Sequence, residues 1–576
     1  MAHKSQKIAA KQQKKLTKEI YSKFGDYYKQ AGPRLNEYDE ADRWMDGDDT
    51  LIWSGERRTW VPKVFPNLIE SIIRQKVALL TDNKPKIYVY TIPEAEFIDD
   101  PKHIEMIKVH SQNMNMAFDH LWRFNKMQSA VEMMALQGAS YGLMSGRCYW
   151  DQRSNKGIGE IRTEFLNPRN IFFDQAVARV DLLDGSAETL IVAQPKPKSW
   201  FRYYFPDIPV EDLPTAEEFQ QLGGQFQGIG FGSNENVSDY PVYIEAYHAK
   251  DVGEDNPTGK YEVQVTGLAG SKFLFNRPVE FSPVFIHPYE LRVDSPMGRG
   301  DINRLKTLQK DFCSKLSQVS LNIALSANRQ YIVNPAKLGM KLDELLEHSG
   351  EPGYYFITKK LTEDVRNAIT DLDTPKFNPE LFQYLFYLPQ LMEQVSGLEA
   401  VLKGGSSKKA RQSKYEVGKQ YEAATIRVRN TAHHMEMMIV DMGKIWAKMI
   451  NQYYTDPRLI WRINTETDQL DKNIFTFPQD SDGKNMDLDY VLTVQPDTML
   501  PVDIQSQVER DMNLAQMQAI DPQTLLETMN HPKVTLIMER LKQMREEAQQ
   551  GGGGQQPGQV APQSGAQQNA GQPVKF

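Results

Sequence analysis

The chain has 576 residues, 40% of them hydrophobic and 25% charged, with a formal net charge of −8. That composition supplies a sizeable core and, at this length, favours several domains or one multi-lobed unit; the acidic balance excludes a uniformly basic nucleic-acid-binding domain, so any nucleic-acid contact must be local. Cys148 and Cys313 stand far apart with no CxxC, which argues against a disulfide framework or a cysteine-rich zinc site and fits a reducing compartment.

Residues 1–19 carry Lys4, Lys7, Lys11, Lys14, Lys15 and Lys18 with few apolar residues. They read as a solvated, partly helical, flexible basic arm, or as an arm for nucleic acid or a partner. The start lacks the apolar segment of a secretory signal, and no run approaches 18 apolar residues, so no membrane-spanning helix is expected.

Residues 64–80 place Leu68, Ile69, Ile72, Ile73, Val77 and Leu80 at helical spacing, and Asn83-Lys84-Pro85 ends the pattern before a short strand at Ile87–Tyr90. Helices are predicted over about 104–126 and 128–143. Gly138, Gly142 and Gly146 recur every four residues there, which suits close packing. A hairpin over 147–173 turns at Ser154-Asn155-Lys156-Gly157. Strand-like pieces follow at 188–194, 241–249, 260–266 and 283–287, with a Gly/Phe/Gln-rich loop at Gly223–Gly232.

The texture changes at residue 301. Ile302, Leu305, Leu308, Phe312, Leu316, Val319 and Ile323 form one apolar stripe that Asp301 can cap. Residues 329–378 read as a compact insert: an RQYIV strand, a helix near 341–348, a Gly350–Gly353 turn and a YYFIT strand. Helix resumes over Glu380 to Val401. A basic break follows, with Lys403, Gly404, Gly405, Ser406, Ser407, Lys408, Lys409 and Arg411, and then Lys414. A helix over about Gln412 to Tyr454 would span roughly 60 Å. Its apolar residues Tyr421, Val428, Met435, Met442 and Met449 fall seven apart, with Ala424, Ala432, Ile439 and Trp446 between them. This is a near-heptad seam, for a coiled coil or for long-helix packing. Strands at 459–463 and 490–494 and helical pattern over 503–548 precede a Gly/Gln/Pro-rich tail, 549–576, expected to be disordered.

Catalytic chemistry is not evident. Gly267–Lys272 (GLAGSK) lacks the ending of a phosphate-binding P-loop. His433 and His434 are adjacent, so they point about 100° apart on a helix and cannot chelate as an i,i+4 pair. They read as core or interface histidines. The acidic turns Asp46, Asp48, Asp49 and Asp480, Asp482, Asp487, Asp489 do not match a calcium loop. They read as solvated loops, with a metal-dependent nuclease site as the minor reading. No metal site and no cofactor are expected. The basic loop needs only charge and reach to touch phosphates without reading bases.

The ordered set of segments resembles the portal proteins of tailed bacteriophages. The segments are NLIESIIRQKVALLTDNKPKIYV (67–89), ALQGASYGLMSGRCYWDQRSNKGIGEIRTEFLNPRNIFFD (135–174), SPMGRGDINRLKTLQKDFCSKLSQVSLNIAL (295–325) and LMEQVSGLEAVLKGGSSKKARQSKYEV (391–417). The resemblance covers about 60–545. It implies an α+β, mostly helical portal-type fold, a ring of twelve subunits around a channel for double-stranded DNA. Residues 20–301 and the return strands 456–500 would be the wing, 302–328 and 379–402 the stem helices, and 329–378 the clip. Residues 403–412 would be the tunnel loop, 413–455 the tunnel helix and 501–548 the crown. Lys403, Gly404, Gly405, Lys408, Lys409, Arg411 and Lys414 would face the DNA, and Leu305, Leu308, Phe312, Leu316 and Val319 would pack subunits together. The implied partners are the terminase large subunit, major capsid and scaffolding proteins, and head-completion or tail adaptor proteins, with no membrane. The implied place is one capsid vertex of the virion, after assembly in the host cytoplasm. The alternatives are a virion structural or scaffold protein without a channel, and a metal-dependent nucleic-acid-processing enzyme.

Overall fold

The computed structural model describes residues 2–53, 61–85, 87–92, 101–177, 186–213, 240–250, 262–270, 272–293, 295–327, 331–348, 368–371, 379–398, 414–464, 469–477 and 488–494, with a few isolated positions besides. The chain divides into two units, Met1–Trp461 with Lys472–Val502, and Arg462–Asp471 with Asp503–Phe576. Nearly all of the described residues belong to the first unit. The predicted crown helices and the tail lie outside the described residues, apart from single positions.

The first helix, α1 (Ala2–Asp46), takes in the basic segment expected to be a partly helical arm: residues 2–19 are the beginning of a 45-residue helix. It runs through Gly32-Pro33, where the missing proline N–H ordinarily ends a helix. Burial carries it through. Ile20, Phe24, Ala31, Leu35 and Tyr38 are all buried on one side, and Arg34 donates to the Ile171 carbonyl at 2.7 Å.

That side covers a five-stranded antiparallel sheet of β4 (Ile171–Phe173), β5 (Thr189–Pro195), β6 (Val242–Lys250), β7 (Glu262–Ala269) and β8 (Lys272–Val279), in that order. Phe172, Ile191, Ala193, Ile244 and Ala246 face α1. Their neighbours Ile171, Phe173, Leu190, Val192 and Val265 enter a second cluster on the opposite face. Alternation puts successive side chains on opposite faces. With both faces covered, the strand reads as the continuous apolar run LIVA. Sequence pattern missed β8. The GLAGSK fragment spans the end of β7 and the start of β8, with Gly270 at φ 56° between them, and is not followed by a helix. The short helix α5 (Lys198–Tyr204) packs Phe201 beside this sheet.

The largest cluster is helical. It gathers α2 (Leu68–Thr81), α3 (Pro101–Phe124), α4 (Met127–Tyr141) and the long α10 (Lys414–Tyr453) around a three-stranded sheet. The strands run β3 (Glu160–Phe165), β2 (Leu143–Asp151), β9 (Val284–Pro288). Arg147 joins the two sheets, 2.5 Å from Glu164 on β3 and from Glu245 on β6. Distant segments close the cluster. β1 (Ile87–Thr91) pairs antiparallel with β14 (Tyr490–Val494), Ile87 opposite Val494. β12 (Arg458–Asn464) pairs with β13 (Gln469–Phe475), which the sequence pattern also missed.

The helix α6 (Ile302–Ala327) leads to β10 (Tyr331–Val333), α7 (Pro335–Leu338), α8 (Leu342–Glu347) and β11 (Ile369–Asp371), and then to α9 (Pro379–Ser396). β10 pairs with β11, Tyr331 opposite Asp371. The strand predicted at YYFIT falls mostly outside the described residues, and its described positions Tyr355 and Ile357 are not in a strand. α9 also ends five residues short of the predicted Val401. Gly397 takes φ 84°, and the Leu398 N–H returns to the Glu393 carbonyl at 3.0 Å. A left-handed glycine with this bond closes a helix as a Schellman-type cap.

Candidate functional site

The α6–α9 pair holds the residues singled out for subunit packing. At 1.5 Å per residue the helices are about 39 and 27 Å long. They run antiparallel: Ile302 and Leu305 at the start of α6 share the main cluster with Met392 and Leu398 at the end of α9, while farther out Tyr384 donates to Asp311 at 2.7 Å. Burial fades along both. Ile323 is 54% exposed and Phe382 37%, so the far ends leave the core.

The root of α6 is fixed by an ion pair inside the protein. Lys76 Nζ on α2 lies 3.0 and 2.9 Å from the two Asp301 oxygens. The Tyr289 hydroxyl donates to the same carboxylate at 3.2 Å. Burial and the Asp301 charge raise the Tyr289 hydroxyl well above its usual range. Asp301 was expected to cap α6. Its carboxylate serves Lys76 and Tyr289, and its carbonyl accepts the Arg304 and Leu305 N–H groups at 3.0 and 3.2 Å. Arg304 in turn grips Glu290 with both terminal nitrogens.

Two glycines allow this root to form. Gly142 ends α4 at φ 87°, and a Cβ there would stand 2.9 Å from the Arg299 carbonyl carbon. A Cβ on Gly300 would meet the Ala139 oxygen at 2.8 Å. The glycine period in the sequence thus serves close packing, but at three different places: Gly138 inside α4, Gly142 at its end and Gly146 in β2.

Five residues were expected to pack against neighbouring copies, and the structure separates them. Leu305 and Val319 are 0% and 3% exposed within the single chain. These two are already covered by their own chain. Leu308, Phe312 and Leu316 are half-buried. The fully buried line of α6 is partly polar: Gln309 donates to the Pro66 carbonyl at 2.6 Å, and Ser317 accepts the Val64 N–H at 3.1 Å. Sequence reading missed α9 as a surface. Phe386 is 72% exposed and Tyr387 51%, beside Phe382 and Tyr384. The available signal was ELFQYLFYL, which holds more aromatic residues than one buried stripe can use.

The basic loop residues Lys403, Gly404, Gly405, Lys408, Lys409 and Arg411 lie outside the described residues; Lys414 opens α10. The later part of α10 is a core helix. Val428, Met435, Met442 and Met449 are buried as predicted, but so are Thr431, Met438, Ile445, Ala447 and Ile450. The narrow coiled-coil seam therefore gives way to burial over most of the helix circumference. Trp446 donates to Thr163 at 2.7 Å, and Tyr453 stacks on Trp150 with 4.9 Å between ring centroids.

His433 is exposed and stands 3.8 Å from Glu436. His434 is buried 5.7 Å from the His287 ring, centroid to centroid, and burial together with His287 and His433 lowers its pKa. Of the acidic turns, Asp48 caps the next turn and holds Arg43 at 2.7 Å. Asp480, Asp482 and Asp487 lie outside the described residues. Among the described residues no group of three or more His, Cys, Asp or Glu is placed to hold a metal, and no helix is long and apolar enough to cross a membrane.

Comparison with known proteins gives one result. The profile of the family described as Phage P22-like portal protein matches residues 62–575. No curated protein matches the chain.

Proposed function

The chain belongs to the P22-like phage portal protein family, and we propose that its copies assemble into a ring at one capsid vertex, with an axial channel through which double-stranded DNA is packaged and ejected. The family is structural, and its members are components of the phage head. The finer assignments are this proposal's own: twelve subunits, a stem made of α6 and α9, a clip over 329–378, and the basic loop 403–412 facing the lumen.

The observation that carries the ring is the half-open apolar surface of the α6–α9 pair. Phe386, Tyr387 and Phe382 on one helix, and Leu308, Phe312 and Leu316 on the other, keep area that the single chain does not cover. Two different helix surfaces meeting head to tail make a heterologous interface, which closes into a ring when the rotation allows. Charge supports a sliding duplex. Each copy carries −8, so a ring does not clamp DNA, because tight neutralisation of phosphates adds strongly to affinity. A few lysines on each loop supply transient contact instead. The terminase would dock during packaging, and head-completion or tail adaptor proteins afterwards, with capsid and scaffolding proteins around the rim.

Native mass measurement at micromolar concentration, with images down the particle axis, tests the assembly. A closed ring with a central hole is expected; a stable monomer, or a ring without a hole, removes the proposal. Neutralising Lys408, Lys409 and Arg411 should leave the ring intact and impair DNA retention. Failure of the ring itself would assign the loop a structural role.

A further inference from the structure

The first turns of α1 hold a feature that the channel does not use. Residues 1–18 contain six lysines and no carboxylate, in a chain whose net charge is −8. The structure makes this segment helical from Ala2 onward. At 3.6 residues per turn, positions 4, 7, 11, 14, 15 and 18 fall within an arc of about 100°. They form a single row along the helix.

The row lies on the same helix that covers the five-stranded sheet. The α1 side chains in the sheet cluster begin at Leu16 and Ile20 and continue through Phe24 and Tyr28. On the helical wheel the centre of that buried set lies about 150° from the centre of the lysine row. Lys11, Lys14, Lys15 and Lys18 are exposed. Lys23, in contrast, is held by Glu188 at 2.5 Å, with Glu19 at 4.0 Å. The row also lies before residue 62, where the family match begins.

We propose that residues 4–18 of α1 are a sequence-independent contact for the phosphate backbone of double-stranded nucleic acid, separate from the basic loop. The residue types select this ligand. Residues 1–19 contain no Phe, Trp or Tyr, so there is no platform on which unpaired bases could stack. Ile8 and Leu16 are their only large aliphatic side chains. A helix lying on a membrane, or seated in a protein groove, needs a broader apolar face. What remains is a line of point charges. Six lysines over fourteen residue steps stand on average about 4 Å apart along the helix axis. A duplex presents one phosphate per about 3.4 Å along each strand.

The test is binding of the full-length protein to a labelled duplex of about 30 base pairs, read by fluorescence anisotropy across a salt series. The variant carries Lys11→Gln, Lys14→Gln, Lys15→Gln and Lys18→Gln together. Each phosphate contact contributes about 0.9 to the slope of log K against log salt, so the slope should fall by about 3 to 4 and the affinity at least tenfold. Arginine at the same four positions should restore both. Circular dichroism checks that the glutamine variant keeps its helix. The same series on a background with Lys403, Lys408, Lys409 and Arg411 changed to Gln separates the arm from the loop. An unchanged slope in the arm variant overturns the proposal. So does failure of the arginine variant, or competition by poly-glutamate as effective as that by unlabelled duplex, which would mark the row as a site for an acidic protein.

Discussion

Lys76 and Asp301 meet inside the protein, with side chains 3% and 1% exposed and the nearest oxygen 2.9 Å from Nζ. The pair ties α2 to the first residue before α6, so the outgoing helix starts from a fixed point. Removing one partner of a buried pair strands the other charge, which costs about 3 to 5 kcal/mol. Lys76→Met should lose that much in chemical denaturation, and Lys76→Met with Asp301→Asn should regain most of it. Equal stability of the single variant and the parent would show that water reaches the site.

The junction beside this pair is also sensitive to backbone. Gly142 sits at φ 87°, facing the Arg299–Gly300 peptide. Alanine there meets both the left-handed penalty of about 1 to 2 kcal/mol and a backbone clash. Gly142→Ala should lower the thermal midpoint by several degrees. Gly157 has φ 91°, and an added Cβ there would have nothing within 4 Å. Gly157→Ala should therefore show the conformational penalty alone and lose less.

The exposed aromatics of α9 separate assembly from folding. Phe386 is 72% exposed in the single chain, so Phe386→Asp should leave the isolated fold within about 0.5 kcal/mol of the parent. Sedimentation should show smaller species in place of the ring. An unchanged sedimentation profile would place the subunit contact elsewhere.

His110 gives a pH dependence of defined sign. Burial lowers its pKa from 6.5 to about 4; one ring nitrogen meets the Tyr490 hydroxyl at 3.1 Å, and the other is buried with no hydrogen-bond partner among the described residues. The folded state prefers the neutral ring. The stabilisation is complete above the unfolded value of 6.5 and is lost as pH falls toward 4. By pH 5 this amounts to about 2 kcal/mol. Urea midpoints at pH 7 and pH 5 should differ less in His110→Gln than in the parent. Parallel pH profiles would assign the acid sensitivity to other groups, such as His248, also lowered to about 4 by burial.

Local pattern by itself determined much of this protein. The 3.6-residue spacing of Leu68–Leu80 and Ile302–Val319 marks two helices that the structure contains as α2 and α6. The order of segments led to the family that the comparison shows. Helix and strand periods are properties of short windows, so they survive without knowledge of the fold. The ends of elements were less legible where one residue decides them, as Gly397 does for α9.

Tertiary structure decided which apolar residues are spent. Leu305, Leu308, Phe312, Leu316 and Val319 share one stripe in the sequence, yet Leu305 and Val319 are covered by their own chain and the other three keep open area. It also placed residues 2–19 in one helix with Ile20, Phe24 and Tyr28, which cover a sheet more than a hundred residues away in sequence. Pairing of Ile87–Thr91 with Tyr490–Val494, some four hundred residues away, is beyond any local pattern. Burial and long-range pairing depend on what the chain brings together, and periodicity records only which residues share a face.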